Sequence, residues 1–378
     1  MADPSCREAT IPMFQTSKTF AAFASVALVA ALSPAQAGAQ AADIPTTCNG
    51  LEATQIVTEI DEADVGTQGD DVIVIAIDVP DDLPFSELPL FLALGGDDTI
   101  CISGSGYGLS VLAGAGDDIV FADTSIAYLD LSLGSGNDTA TIQSASWTSL
   151  SGGPGDDEIT GGRYNDSIDG GPGTDILRGG AGDDDIIAGE GNDEVYGGRG
   201  HDWLEGGEGD DRIVGFEGDD FIIGGTGKDE LHGGPGNDVL ASVDPWQMPH
   251  QPSFVEDTAG DRMFGGVGDD RLVGGDRWDR MQGGPGNDVL LGFEGRDFMR
   301  GGSGNDELIG GTNVDDMNGN TGADRLFLRG DDVASGGLGR DTCGGFSWDD
   351  VDVPTTCETE FSTTMAMVNM NMANGAID

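Results

Sequence analysis

The stretch GGPGDDEIT GGRYNDSID GGPGTDILR GGAGDDDII AGEGNDEVY GGRGHDWLE GGEGDDRIV GFEGDDFII GGTGKDELH GGPGNDVLA, residues 152–241, repeats every nine residues without a gap. A second block runs in register from Gly265 to Phe327: GGVGDDRLV, GGDRWDRMQ, GGPGNDVLL, GFEGRDFMR, GGSGNDELI, GGTNVDDMN and GNTGADRLF. The degenerate unit EDTAGDRMF precedes it, and GDDVAS and GGLGRDTCG follow after a one-residue slip. In all 17 in-register units position six is Asp and position eight is Ile, Leu, Val or Met.

Each position has a physical reading. Gly at positions one, two and four lets the backbone turn through positive φ. The last three residues, x-U-x, alternate as a short strand with the aliphatic U inward. A six-residue turn and a three-residue strand reverse the chain, so two units make one coil of 18 residues. Coils stack at about 4.8 Å. Ile159 and Ile168 then face each other across a thin core, with Asp157 above Asp175 and Asp166 above Asp184. Stacked carboxylates repel, and burying them unpaired costs more than a thin core returns. A cation between them reverses the sign. Turn carbonyls and Asp side chains offer an all-oxygen cage, which suits calcium better than magnesium with its tight octahedron.

The units match GGxGxDxUx, and the chain resembles the RTX (repeats-in-toxin, hemolysin-type) calcium-binding repeat family. The resemblance implies an all-β fold, a right-handed parallel β-roll or β-solenoid of 18-residue coils. In that family each ion sits between the turns of units i and i+2. Carbonyls come from the first four positions and a carboxylate from position six. Carried onto this sequence, the metal-binding carboxylates are Asp157, Asp166, Asp175, Asp184, Asp193, Asp202, Asp211, Asp220, Asp229 and Asp238 in the first block. Those of the second are Asp270, Asp279, Asp288, Asp297, Asp306, Asp315 and Asp324, with Asp341 after the slip. Ten units then provide up to eight such sites and seven units up to five, because the last two of each block lack a partner. Tyr164, Arg277 and Asn313 replace the fourth Gly, and Lys228, Trp278, Arg296 and Val314 stand at position five, where Asp or Asn is common. Sites using GGDRWDRMQ and GGTNVDDMN fit the pattern least. A metal-free glycine-rich solenoid is the alternative, and it leaves the invariant acid at position six unexplained.

Ahead of Gly152 the acidic loop recurs more sparsely, as GTQGDDVI around Asp71, LGGDDTI with Asp98, GAGDDIV with Asp118 and GSGNDTA with Asp138. The intervals, 27, 20, 20 and 19 up to Asp157, suggest full coils with an acidic turn on one edge only. Asp98, Asp118 and Asp138 are further calcium candidates, and VIVIAI, LSVL and YLDLSL read as strands. Residues 43–150 are therefore expected to form an irregular solenoid ahead of the blocks at 151–241 and 256–345. Ser242 to Val255, SVDPWQMPHQPSFV, inserts 14 residues into the register as a loop that could dock a partner or a sugar. Residues 346–378 read as a cap and a disordered tail.

The N-terminal segment from Met13 has a cationic Lys18, an apolar run Ala21–Leu32 and a small-x-small Ala35-Gln36-Ala37, so residues 1–37 read as a signal peptide. That implies a secreted or periplasmic protein. Cys48, Cys101, Cys343 and Cys357 then favour disulfides. Three connectivities are open, and the local pairs Cys48–Cys101 and Cys343–Cys357 would close the two ends. Lys+Arg number 16 against 69 Asp+Glu, a net charge of −53. Such a polyanion excludes nucleic-acid binding by phosphate neutralisation and charge-driven attachment to anionic membranes. No toxin-like apolar domain suggests membrane insertion. HExxH and GxSxG are missing, and His201, His232 and His250 share no local motif. The reading is a non-enzymatic calcium-binding β-roll, a surface or matrix scaffold or adhesin whose partner could be a cell-surface polysaccharide or protein. The alternative is a carbohydrate-active enzyme or polysaccharide-binding module on a solenoid face. Arg163, Tyr164, Trp203 and Trp246 are its first clues, and an aligned groove of basic side chains would favour it.

Overall fold

A computed structural model of the protein describes residues 47–58, 66–79, 88–143, 146–242, 260–275, 277–329, 331–345 and 359–360. The chain divides into two units, 1–44 and 45–378, and the described residues all belong to the second. The proposed signal segment, Trp246, His250, Cys357 and the tail lie outside them.

Those residues form strands and turns with no helix. Apart from the small antiparallel pair Thr47–Cys48 and Leu51–Glu52, the strands pair in parallel. In the regular part each rung lies 18 residues from the next: Ile176 pairs with Glu194, Leu177 with Val195 and Arg178 with Tyr196. Ser167, Ile168 and Asp169 pair likewise with Asp185, Ile186 and Ile187. Unit i therefore stacks on unit i+2, and alternate units build the two sides of a parallel β-solenoid. Between the sides run the position-eight residues. Ile159, Leu177, Ile186, Val195, Leu204, Ile213, Ile222 and Leu231 are fully buried, and the second block continues with Leu272, Met281, Leu290 and Leu308.

The strands are longer than the expected three residues. Ile176–Ala181 and Trp203–Glu208 each span six, from position seven through position three of the next unit. Position-one Gly stays inside the strand because it is buried against its own turn, and position-two Gly keeps the ladder through positive φ (Gly180, 115°). A Cβ on Gly180 would sit 2.3 Å from the Gly162 carbonyl oxygen, so the spacing of the coils requires glycine there. Phe216 and Phe293 break that rule at φ 81° and 69°. Phe216 offsets part of the strain by packing on Tyr196, ring centroids 6.2 Å apart.

Coil length drifts along the axis. Val72 pairs with Thr99, Leu109 with Leu129, Thr148 with Leu129 and Asp316 with Val333. The N-terminal segment therefore belongs to the same solenoid, and the strands Val72–Val79, Thr99–Ala115 and Ser125–Ser135 contain the three apolar runs. The second block continues the first: Glu230 pairs with Arg262, and Val239 with Arg271. Ser242 is still part of the coil, buried, with its N–H donated to the Val273 carbonyl at 3.0 Å. A disulfide joins Cys48 to Cys101 (Cα–Cα 5.5 Å), and Cys343 is disulfide-bonded too.

Candidate metal sites

The position-six aspartates form two ladders. On one edge, the Asp157 N–H donates to Asp175 Oδ1 at 2.8 Å, Asp175 to Asp193 at 2.7 Å, and Asp193 to Asp211 at 2.8 Å. Upstream the same ladder runs from Asp71 to Asp98, Asp118, Asp138 and Asp157. Downstream it passes through Asp229, Asp261, Asp279, Asp297, Asp315 and Asp332. The opposite edge runs Asp166, Asp184, Asp202, Asp220, Asp238, Asp270, Asp288, Asp306, Asp324 and Asp341. It begins at Thr148, whose hydroxyl donates to Asp166 Oδ1 at 2.5 Å. The N-terminal coils thus carry acidic turns on one edge alone.

Each ladder bond occupies one carboxylate oxygen. The other, Oδ2, is buried without a hydrogen-bond partner at Asp98, Asp118, Asp138, Asp157, Asp175, Asp184, Asp193, Asp202, Asp211, Asp220, Asp238, Asp270, Asp288, Asp297, Asp306, Asp315 and Asp324. An orphaned buried carboxylate oxygen is costly, and a row of them in a folded chain calls for a cation. Position-one Gly shows where. A Cβ on Gly206 would lie 2.4 Å from both Asp211 Oδ2 and the Gly224 carbonyl oxygen, and one on Gly292 would lie 2.3 Å from Asp297 Oδ2 and 2.4 Å from Gly310 O. A carboxylate oxygen and a carbonyl of the next coil converge on space that only glycine leaves open. This donor set, one carboxylate plus backbone carbonyls, fits a hard divalent ion of loose geometry. Among the described residues no cluster of three or more His, Cys, Asp or Glu side chains could hold a metal; the remaining donors are main-chain oxygens.

The carboxyls named above for their orphaned Oδ2 are held above the usual carboxylate range. Burial pushes Asp157, Asp184, Asp211, Asp238 and Asp306 up to about 7 and Asp297 to about 8. The ladder N–H of the preceding coil opposes this in every case, and neighbouring carboxylates add to the rise.

Not every aspartate keeps Oδ2 open. Asp166 Oδ2 accepts the Gly162 N–H at 2.5 Å and Asp279 Oδ2 the Gly275 N–H at 3.0 Å. These are the units with Tyr164 and Arg277 in place of the fourth Gly. In both units the position-two amide turns onto the unit's own carboxylate. Asn313 takes positive φ, 76°, and Asp315 keeps its orphaned oxygen. Of the two units that fit the repeat least, one retains the open geometry and the other does not.

Two ladder members escaped the reading of the sequence. Asp261 occupies position six of EDTAGDRMF, with Oδ2 bonded by the Ser242 hydroxyl. Asp332 lies in GDDVAS, with Oδ2 accepting the Arg329 N–H. Position five has a role as well. Its side chain accepts the position-five N–H of the following coil: Asp219 donates to His201 Nδ1, Asn237 to Asp219 Oδ1, and Asp269 to Asn237 Oδ1. Of the proposed sugar-binding residues, Trp246 lies outside the described ones, and the other three occupy different parts of the coil. Trp203 stacks on Phe221 at 4.3 Å, whereas Arg163 and Tyr164 sit in the turn before Asp166.

Residues 151–186, 178–213, 214–242, 257–290, 273–308, 291–326 and 309–343 match the RTX calcium-binding nonapeptide repeat. No curated protein matches the chain.

Proposed function

We propose that this protein, built over residues 151–242 and 257–343 from RTX calcium-binding nonapeptide repeats, uses its two aspartate ladders to couple calcium binding to folding outside the cytoplasm. RTX repeats bind calcium; the individual carboxylates, the coupling and the compartment are our reading. The observation that carries it is the row of buried, unpartnered Oδ2 atoms. Calcium supplies, when bound, the positive charge that these oxygens and the converging carbonyls lack. The turns with an open Oδ2 provide one carboxylate oxygen each, orient it through the ladder N–H, and exclude side-chain bulk through position-one Gly. Asp98, Asp118 and Asp138 extend the same arrangement upstream of the matched repeats.

Without a cation, a net charge of −53 opposes compaction. Each bound ion then adds RT ln(1 + [L]/Kd) to the stability of the folded chain. An exported chain would meet such calcium only after leaving the cell, which defers folding until after export. The role fitting this behaviour is a non-catalytic surface or matrix scaffold. A calcium titration followed by far-UV circular dichroism, from a chelator-treated start, tests it. A cooperative gain of β signal that equal magnesium does not reproduce is expected. A spectrum unchanged by calcium would sink the coupling.

A further inference from the structure

Charge is balanced unevenly along one outer sheet face. Its position-seven residues run in register as Glu194, Arg212, Glu230, Arg262, Arg280 and Phe298. Arg212 and Arg262 both reach Glu230, at 2.5 and 3.5 Å. After Arg262 the alternation stops. Arg280 follows on the next rung, and like charges on adjacent rungs repel. Position nine of the same face runs Phe264, Gln282 and Arg300, and Arg296 enters from a neighbouring turn. Among the described residues no carboxylate lies within ion-pair distance of Arg280, Arg296 or Arg300. Arg280 and Arg296 lie over the Phe298 ring at 6.0 and 5.5 Å, and Arg262 lies over Phe264 at 5.7 Å. The result is a shallow cleft of about 280 Å³ with buried Met281 and Met299 on its floor. In a chain with 69 acidic residues, Arg262, Arg280 and Arg300 line this cleft and Arg296 stands beside it, with two aromatic rings and one glutamate as the partners of three of the four.

We propose that this face binds an anionic polysaccharide through its carboxylate groups. Planar guanidinium forks match carboxylates bidentately. Phe264 and Phe298 offer apolar rings for sugar faces, and Gln282 and Asn318 offer amides for hydroxyls. The rungs lie about 4.8 Å apart in parallel register, so a linear repeating ligand meets successive rungs in one orientation. Asp316 closes one end of the cleft and orients an anionic chain away from it. The side chains come from four coils, so the site rests on the folded β-roll proposed above. The basic groove that would favour a polysaccharide-binding module is thus present, at residues other than the first clues in the sequence.

The test uses the full chain in calcium. Isothermal titration is run with a hyaluronan oligosaccharide, a neutral N-acetylglucosamine oligomer and a polyglutamate peptide. The carboxylated glycan is expected to bind with salt-dependent affinity, and the neutral one not to bind. Arg280→Gln with Arg300→Gln is expected to weaken binding roughly ten-fold or more, with an unchanged dichroism spectrum because both residues are exposed. No binding of the glycan by folded protein, or equal binding by the double variant, overturns the proposal. Tighter binding of polyglutamate also overturns it, assigning the face to an acidic protein segment. Dichroism of the same samples separates the two readings. A spectrum indifferent to calcium counts against coupled folding, and glycan binding is then decided on the preformed solenoid.

Discussion

In the reading proposed above, a position-six aspartate divides its carboxylate between two tasks: Oδ1 accepts the amide of the preceding coil, and an Oδ2 without a hydrogen-bond partner is left for the cation. The division predicts unequal effects along the ladders. Asp211→Asn keeps an Oδ1 acceptor and removes the charge, so the chain should lose about one bound calcium. Asp166→Asn should leave the bound calcium unchanged, because its Oδ2 is already taken by the Gly162 N–H. Equilibrium dialysis with elemental analysis measures both, and equal losses would contradict the assignment. Gly206→Ala sets a methyl group 2.4 Å from Asp211 Oδ2 and Gly224 O. It should cost about 1–3 kcal/mol, the usual range for overpacking, read as a shift in the calcium-dependent unfolding midpoint.

At the scale of the element, each coil is held by a short ladder at each edge and a few aliphatic side chains between. Such a unit cannot stand alone, so its ends matter. Cys48–Cys101 ties the antiparallel pair at the start to the second long coil across 53 residues of sequence. Replacing both cysteines by serine should cost about 2–4 kcal/mol, the common range for a loop closed by a disulfide. Thermal unfolding in calcium, compared with and without a reductant on the parent protein, measures it. An unchanged melting profile would make this end dispensable. The ladders also show why the inserted residues do not break the solenoid. The Asp229 N–H donates to Asp261 at 2.8 Å across 32 residues as other rungs do across 18.

For the whole molecule, the aspartates link stability to pH. Their pKa values in the folded, metal-free chain lie at about 6 for Asp98 and up to about 8 for Asp297, against roughly 3.9 unfolded. A raised folded pKa means that the fold takes up protons. Its contribution is fully present below the unfolded value and is lost as pH rises through the folded values. The chelated protein should therefore gain β signal when acidified from pH 8 towards 5 and lose it on return, while calcium restores the fold at pH 8. Circular dichroism in chelator across that range decides it. A metal-free β signal that strengthens as pH rises would contradict the burial of these groups.

The period of nine, the acid at position six and the aliphatic at position eight were enough to derive the parallel solenoid, its two edges and most of the ladder. All of these follow from local conformation repeated many times, so one unit such as GGEGDDRIV carries the argument. Pairing across coils decided the rest. Whether Oδ2 is open, as at Asp315, or closed, as at Asp279, depends on whether the unit's own position-two amide reaches it in the stacked turn. Asp261 and Asp332 enter the ladder because the coils on either side place them there, despite degenerate units. The arginine cleft draws on residues 18 and 20 apart, and those intervals gain meaning only once the coil length fixes which side chains share a face.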